Sequence, residues 1–204
     1  MKILSFDTSS ARLTAAVYDG PKKIAAHESL ESVRHSDALA PVLQALLKKA
    51  RLSSQKIDCI AVGTGPGSFT GIRVALTTAK LLAYALKTKI VGVSSLEAAV
   101  RAQKNDGDYA VMLDARRSQV YAAVYRRKSG LWSVLRKPAI FTREDFLKSL
   151  TPSMMVLDTP LPEASSIAEA ALERIREKKT DSVFALEPLY LRPKDCNVSK
   201  PVKK

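Results

Sequence analysis

Two stretches of this chain repeat each other, and that repeat constrains the fold more than any other feature. Residues 4–18 read Leu-Ser-Phe-Asp-Thr-Ser-Ser-Ala-Arg-Leu-Thr-Ala-Ala-Val-Tyr, and residues 111–125 read Val-Met-Leu-Asp-Ala-Arg-Arg-Ser-Gln-Val-Tyr-Ala-Ala-Val-Tyr. Set one over the other without a gap, Asp114 lies under Asp7, and Ala122 to Tyr125 lie under Ala15 to Tyr18. Leu4, Phe6 and Leu13 fall over Val111, Leu113 and Val120. Each copy is an apolar strand ending in an acid, followed by a second strand. Duplication of one unit is the reading adopted here, with chance likeness between two apolar strands as the alternative.

Around the first copy the pattern is a three-strand meander. Residues 3–6, 13–18 and 23–29 are strand candidates, with Asp19-Gly20-Pro21 turning between the second and third. Apolar spacing of three and four predicts a helix over 36–50, with Ser36 as its cap. A buried strand over 57–63, a long helix over 71–86, a strand over 90–93 and a helix over 95–103 follow. The second copy continues with a strand over 132–135, a helix over 143–150 and a strand over 154–157 that stops at Asp158-Thr159-Pro160. A last helix, 163–178, carries Ala164, Ile167, Ala168, Ala171, Leu172 and Ile175 on its apolar face. The expected organisation is a first lobe over 1–104, a reduced second lobe over 105–192, and a flexible basic tail over 193–204 with Lys194, Lys200, Lys203 and Lys204.

Several function classes drop out. No apolar run approaches the ~18–20 residues of a membrane span, and the first residues are too short for a signal peptide, so the expected compartment is the cytoplasm. Cys59 sits in an apolar run and Cys196 in the basic tail, and neither belongs to a CxxC, so no disulfide framework is expected. With His27 and His35 as the only histidines, no HxxxH or HExxH pair is available and no metal site is expected. There is no GxSxG elbow, and no catalytic residue is assigned. The formal charge of +13 fits either contact with nucleic acid or a plain solvated basic surface.

Three features carry chemistry. Asp7-Thr8-Ser9-Ser10 places a carboxylate and hydroxyls at a hairpin, either to cup a phosphate and hold a metal-bound water or simply to cap the turn. Gly63-Thr64-Gly65-Pro66-Gly67-Ser68-Phe69-Thr70-Gly71-Ile72-Arg73 joins a buried strand to a long helix. It lacks the Gly-Lys-Ser/Thr of a Walker loop, and is either an anion site at a helix N-terminus or a tight turn. The candidate nucleotide or anion residues are therefore Asp7, Thr8, Ser9, Gly65, Gly67, Ser68, Thr70 and Arg73. In the following helix Gly71, Ala75, Ala79 and Ala83 recur every four residues and form a smooth ridge. We expect it to face a partner, with packing on the chain's own sheet as the alternative.

These residues resemble the TsaB (YeaZ) family. The likeness rests on Asp-Thr-Ser near the start, on His35-Ser36 followed by Leu39-Ala40-Pro41, on Gly65 to Arg73, and on Asp114-Ala-Arg-Arg-Ser-Gln-Val-Tyr-Ala-Ala. It covers the first 125 residues well and is weak beyond about 130, apart from Pro188-Leu-Tyr-Leu-Arg192, which resembles the family's closing strand. The resemblance implies an α/β fold: a duplicated actin/Hsp70/sugar-kinase (ribonuclease H-like) architecture of two lobes, the second reduced. It implies a non-catalytic subunit of the complex that transfers a threonylcarbamoyl group to the adenosine beside the tRNA anticodon. Its partners are then a catalytic paralogue, TsaD, and an ATPase, TsaE. The subunit needs no cofactor of its own, since ATP and magnesium are used by the assembled complex. The family's first-lobe helices pair with those of the paralogue, or with a second copy in its absence. Carried onto this chain, that interface comprises His35, Leu39, Val42 and Leu46 with Gly71, Ala75, Ala79 and Ala83. Charge alone marks Arg116, Arg117, Arg126, Arg127 and Lys128 as candidate tRNA contacts. The competing function is a degenerate nucleotide-binding phosphotransferase or ATPase built on Asp7 and Asp114.

Overall fold

The computed structural model describes residues 1–29 and 35–192. The proposed tail, 193–204, lies outside the described residues. Strands β1 (Lys2–Asp7), β2 (Leu13–Asp19) and β3 (Lys22–Ser29) form the expected meander, followed by α1 (His35–Lys49), β4 (Cys59–Gly63), α2 (Phe69–Leu86), β5 (Lys89–Val93) and α3 (Ser95–Val100). The second half runs β6 (Gly107–Asp114), β7 (Gln119–Lys128), β8 (Leu131–Thr142), α4 (Arg143–Lys148), β9 (Met155–Asp158) and α5 (Ala164–Arg176). Two sheets result, ordered β3-β2-β1-β4-β5 and β8-β7-β6-β9. In each, the first strand pairs antiparallel with the second and parallel with the fourth. The fold is the duplicated α/β architecture that the repeat implied.

The duplication is offset in one strand. Ile3 pairs with Cys59 in the first sheet, and Tyr109 pairs with Met155 in the second. Asp7 lies opposite Thr14, whereas Asp114 lies opposite Val120, the counterpart of Leu13. The second hairpin is thus one residue shorter than the ungapped alignment requires. Leu113, not Asp114, stands where Asp7 stands. A one-residue slip turns every side chain to the other face, so Asp114 is exposed while Asp7 is fully buried.

α1 and α2 cover one face of the first sheet, around Leu4, Phe6, Val17, Ile60 and Val62. The other face is covered by α5, whose Ala164, Ile167, Ala168, Ala171 and Leu172 pack on Ile3, Ala16, Tyr18, Cys59, Ala61 and Val91. α3 crosses the opposite way: Leu96, Ala99 and Val100 pack on Tyr109, Val111, Ala123 and Tyr125 of the second sheet. Each half therefore supplies the helix that completes the other half's core. A charged cluster joins the two crossing helices. Glu97 accepts from Arg101 at 3.0 Å and from Arg174 at 2.6 Å, and Arg101 also reaches Glu173 at 2.8 Å.

Two elements differ from expectation. β8 runs for 12 residues instead of four, because Arg136, Lys137 and Pro138 interrupt the apolar pattern right after the expected strand. The segment Pro188 to Arg192 is not a strand; it runs irregularly across the first lobe. α2, with a mean hydropathy of 1.2 over 18 residues, is long and apolar enough by length and composition to cross a bilayer. Its Gly71, Ile72, Ala75, Leu76, Ala79 and Ala83 lie buried in the protein, and it carries Arg73 and Lys80, so we read it as a core helix.

Candidate functional site

The hairpin between β1 and β2 and the glycine loop before α2 are packed into one another. Asp7 has no exposed surface. One carboxylate oxygen accepts the Ser9 N–H at 2.6 Å and the other accepts the Ser95 hydroxyl at 2.6 Å. Ser95 Oγ also accepts the Gly65 N–H at 3.1 Å and the Ser9 hydroxyl at 2.9 Å. The Thr8 hydroxyl donates to Gly71 O at 2.7 Å, and Ser68 N–H donates to Ser9 O at 2.7 Å. Ser68 caps α2 by accepting Gly71 N–H at 3.2 Å. Two glycines make this closeness possible: a Cβ on Gly63 would overlap the Asp7 carboxylate, and one on Gly71 would overlap the Thr8 carbonyl. Asp7, Thr8, Ser9, Gly65, Gly67 and Ser68 are thus brought together, while Thr70 is exposed in the first turn of α2. However, the polar groups of the hairpin are engaged with one another. A phosphate here would have to displace backbone and hydroxyl groups that already satisfy Asp7, so these residues do not fit a nucleotide phosphate in this arrangement.

Arg73 is engaged elsewhere. Its guanidinium lies 3.9 Å from the Phe69 ring centroid and donates from Nε to the Tyr190 hydroxyl at 2.9 Å. Phe69 and Tyr190 stack with centroids 5.0 Å apart. Sequence reasoning missed Tyr190 as a partner, because it lies on a strap, 181–192, that has no periodicity to read. The strap starts with Asp181 bridging Ile90 and accepting Gly92 N–H at 2.8 Å. Leu189 N–H then donates to Thr64 O at 2.8 Å, and Arg192 Nη2 reaches Ala115 O at 2.8 Å and Gln119 Oε1 at 2.7 Å in the second lobe. Ser95 was missed for a different reason: within the sequence it reads only as a helix start.

The expected partner face requires correction. Leu39, Leu46, Ala75, Ala79 and Ala83 are buried in the chain's own core, and Val42 packs against it. The alanine ridge lets α2 lie close on its own sheet and α1; small residues at a period of four serve that role as readily as an external helix. His35 Nε2 lies 2.9 Å from Ser10 O and ties the start of α1 to the hairpin. What these helices expose is a different set, including Pro41, Gln44 and Ala45 of α1 and Leu81 and Tyr84 of α2, the last two 65% and 64% exposed.

The basic residues also divide. Arg126 makes two hydrogen bonds to Asp108, at 2.6 and 2.7 Å, and Arg127 reaches Asp106 at 2.8 Å. These pairs hold both carboxyls below their ordinary range: Arg126 does so for Asp108, and for Asp106 the Ser129 N–H leads, with Gly130 N–H and Arg127 adding to it. Lys128 is exposed at the end of β7. Arg116 and Arg117 are exposed and make no ion pair among the described residues. They sit with Ser118 in a turn where all three have positive φ, 62°, 54° and 58°.

Comparison with known proteins places this geometry. The sequence model of the TsaD family, tRNA N6-adenosine threonylcarbamoyltransferase, matches residues 28–174. The tRNA threonylcarbamoyladenosine biosynthesis protein TsaB of Bacillus subtilis is 39% identical over 132 residues, 64% of this chain but only 58% of that relative. TsaB of Escherichia coli is 29% identical over 221 residues, covering 94% of this chain and 95% of the relative. The chain belongs to the TsaB (YeaZ) family. The solved structure of YeaZ from Pseudomonas aeruginosa superposes with a TM-score of 0.83 at 23% identity, over 93% of this chain and 99% of that one, which shows the shared fold. For a TsaB-family chain the glycine loop is then the most informative stretch: the residues that carried the resemblance, Gly65 to Arg73, are the ones that pack on the Asp7 hairpin and receive the strap.

Proposed function

We propose that this chain serves as a non-catalytic subunit in tRNA threonylcarbamoyladenosine formation, the process named for its B. subtilis and E. coli relatives. In this reading it assembles in the cytoplasm with a TsaD-type catalytic paralogue and a TsaE-type ATPase, and pairs with a second copy of itself when the paralogue is absent. ATP and magnesium then belong to the assembled complex, and tRNA is met through it. The observation that carries the reading is the state of the Asp7 hairpin. Its carboxylate is satisfied by Ser9 and Ser95, and the slipped register leaves the second lobe without a buried counterpart. A phosphotransferase or ATPase needs charge-bearing groups aimed at the reacting phosphate; here the best candidate is turned inward. Pairing with the paralogue falls to the exposed side chains of α1 and α2, and Leu81→Asp is expected to abolish co-purification.

The test is threonine incorporation into unmodified tRNA by purified paralogue, ATPase subunit and adenylate synthase, with and without this chain. Incorporation that requires the chain, with none from the chain and synthase alone, supports the reading. Full incorporation in its absence overturns it, as does turnover of ATP by the isolated chain.

A further inference from the structure

The exposed apolar surface of α2 does not end at Leu81 and Tyr84; it continues onto the strap. Phe184 is the most exposed large apolar side chain among the described residues, at 80%, and its ring meets Tyr84 edge-on with centroids 6.0 Å apart. The strap holds it there. Val183 and Leu186 pack inward on the first-lobe core, and Lys80 Nζ donates to the Phe184 and Leu186 carbonyls at 3.3 and 3.1 Å. A ring fixed in water forgoes its burial energy until something covers it. Between the strap and the end of α2 lies an open notch lined by Tyr84, Ala85, Lys87, Thr88, Val183 and Phe184. Thr88 Oγ1 is buried there without a hydrogen-bond partner among the described residues. The free charge nearby is positive. α1 and α2 lead into β4 and β5, whose first residues Cys59 and Lys89 pair, so both helices end at the same edge of the lobe. Lys48 and Lys87 are exposed at that end and make no ion pair among the described residues. Lys48 continues the exposed stripe of Pro41, Gln44 and Ala45 at helical spacing. The acids close by are engaged: Asp19 with Lys2, Asp58 with the Lys2 N–H at 2.6 Å, and Asp181 with the Gly92 N–H at 2.8 Å.

We propose that the notch receives the catalytic paralogue through an acidic protein surface: an apolar side chain fills the space beside Phe184, and carboxylates around it meet Lys48 and Lys87. The inference rests on the subunit reading and extends its pairing surface onto the strap. Charge and shape decide among the occupants. A second copy of this chain, at a formal +13, brings the same lysines and is repelled. RNA matches the charge, but the walls between the rings are the aliphatic Ala85 and Val183. The rings themselves stand at 72°, which leaves no parallel pair of faces for a base to stack between. An aromatic anchor beside a charged rim is the usual make-up of the residues that dominate a protein interface.

The experiment is a calorimetric titration of the purified TsaD-type paralogue with the full chain, between about 0.05 and 0.3 M NaCl. Phe184→Ala is expected to weaken binding about tenfold and to leave the thermal midpoint unchanged, because the ring is already exposed. Leu131→Ala, which removes another exposed apolar side chain on β8, is expected to stay within about twofold. Affinity for the paralogue is expected to fall as salt rises. Lys48→Glu/Lys87→Glu is expected to lower it about tenfold at low salt and to remove most of the salt dependence. Unchanged affinity in the Phe184→Ala chain overturns the proposal, as does an affinity that is flat or rising with salt. Sedimentation velocity and a titration with unmodified tRNA, run on the same proteins, identify the other occupants. A Phe184→Ala chain that loses only self-association, or only tRNA binding, gives the notch to that occupant and also overturns the proposal. Normal pairing of both the unaltered and the Phe184→Ala chains removes the notch alone and leaves the subunit reading intact. Failure of the unaltered chain to pair at any salt removes both.

Discussion

At the scale of single residues, the buried Asp7 carboxylate and the glycines around it set the sharpest demands. Gly71→Ala puts a methyl group into the Thr8 carbonyl, and both elements are fixed by hydrogen bonds. We expect a loss of about 3 kcal/mol, the upper end for overpacking, seen as a lower denaturation midpoint. Cys59 gives a second test. Burial pushes its thiol up to about 12, above its ordinary value near 8.5. A raised pKa in the folded state means that its contribution is complete below the unfolded value and is lost as pH rises. Stability is therefore expected to fall between about pH 9 and 12, and Cys59→Ala to flatten that part of the profile. A Cys196→Ser chain should likewise show no thiol reaction at pH 8 until denaturant is added. The sequence exposed the polar set of the hairpin but not its inward use, because that depends on Ser95, 88 residues away from Asp7.

At the scale of elements, pattern and packing agreed where one face was clearly apolar. α5 was readable from Ala164, Ile167, Ala168, Ala171 and Leu172, and these residues do form its buried side. What the pattern could not say was which sheet they would meet. α2 was readable as a helix, but its ridge was ambiguous, since a surface of small residues permits close approach by any neighbour. The register of β6 was hidden for a related reason: both of its faces are largely apolar, with Ala110 and Met112 on one and Tyr109 and Val111 on the other, so a one-residue shift leaves no mark on hydropathy. The α3–α5 junction yields the prediction for this scale. Glu97 accepts from two arginines, and Arg101 is 7% exposed. Glu97→Ala removes one of the two carboxylates on that buried guanidinium and leaves Glu173 as the other, and a loss of about 2 kcal/mol is expected by urea unfolding. Glu97→Gln, which keeps the side chain's shape and one acceptor, should cost less.

For the molecule as a whole, the exchange of α3 and α5 matters more than the division into lobes. Residues 1–104 expressed alone lack the helix that covers Ile3, Ala16, Cys59 and Val91. That fragment is expected to be insoluble or to bind a hydrophobic dye, and a segment spanning α5 supplied in trans should reduce the dye signal. Acid acts mainly on the second lobe. Asp106, Asp108 and Asp158 are held below their ordinary carboxylate range by hydrogen bonds from Ser129 N–H, Arg126 and Arg143 respectively. Depressed values mean stabilisation that is present above about pH 4 and lost as pH falls through them. Melting temperature should therefore decline below pH 4, and Asp108→Asn should remove part of the decline.

The crossed helices also set a schedule for synthesis. The first sheet is translated within the first 93 residues, yet the helix that seals its second face ends at Arg176. At roughly 5–20 residues per second, about 4–15 s pass between the making of α3 and the completion of α5. During that time the emerging chain carries an apolar sheet face open to water, so a nascent-chain chaperone should crosslink to it over that window and release it once α5 clears the ribosome.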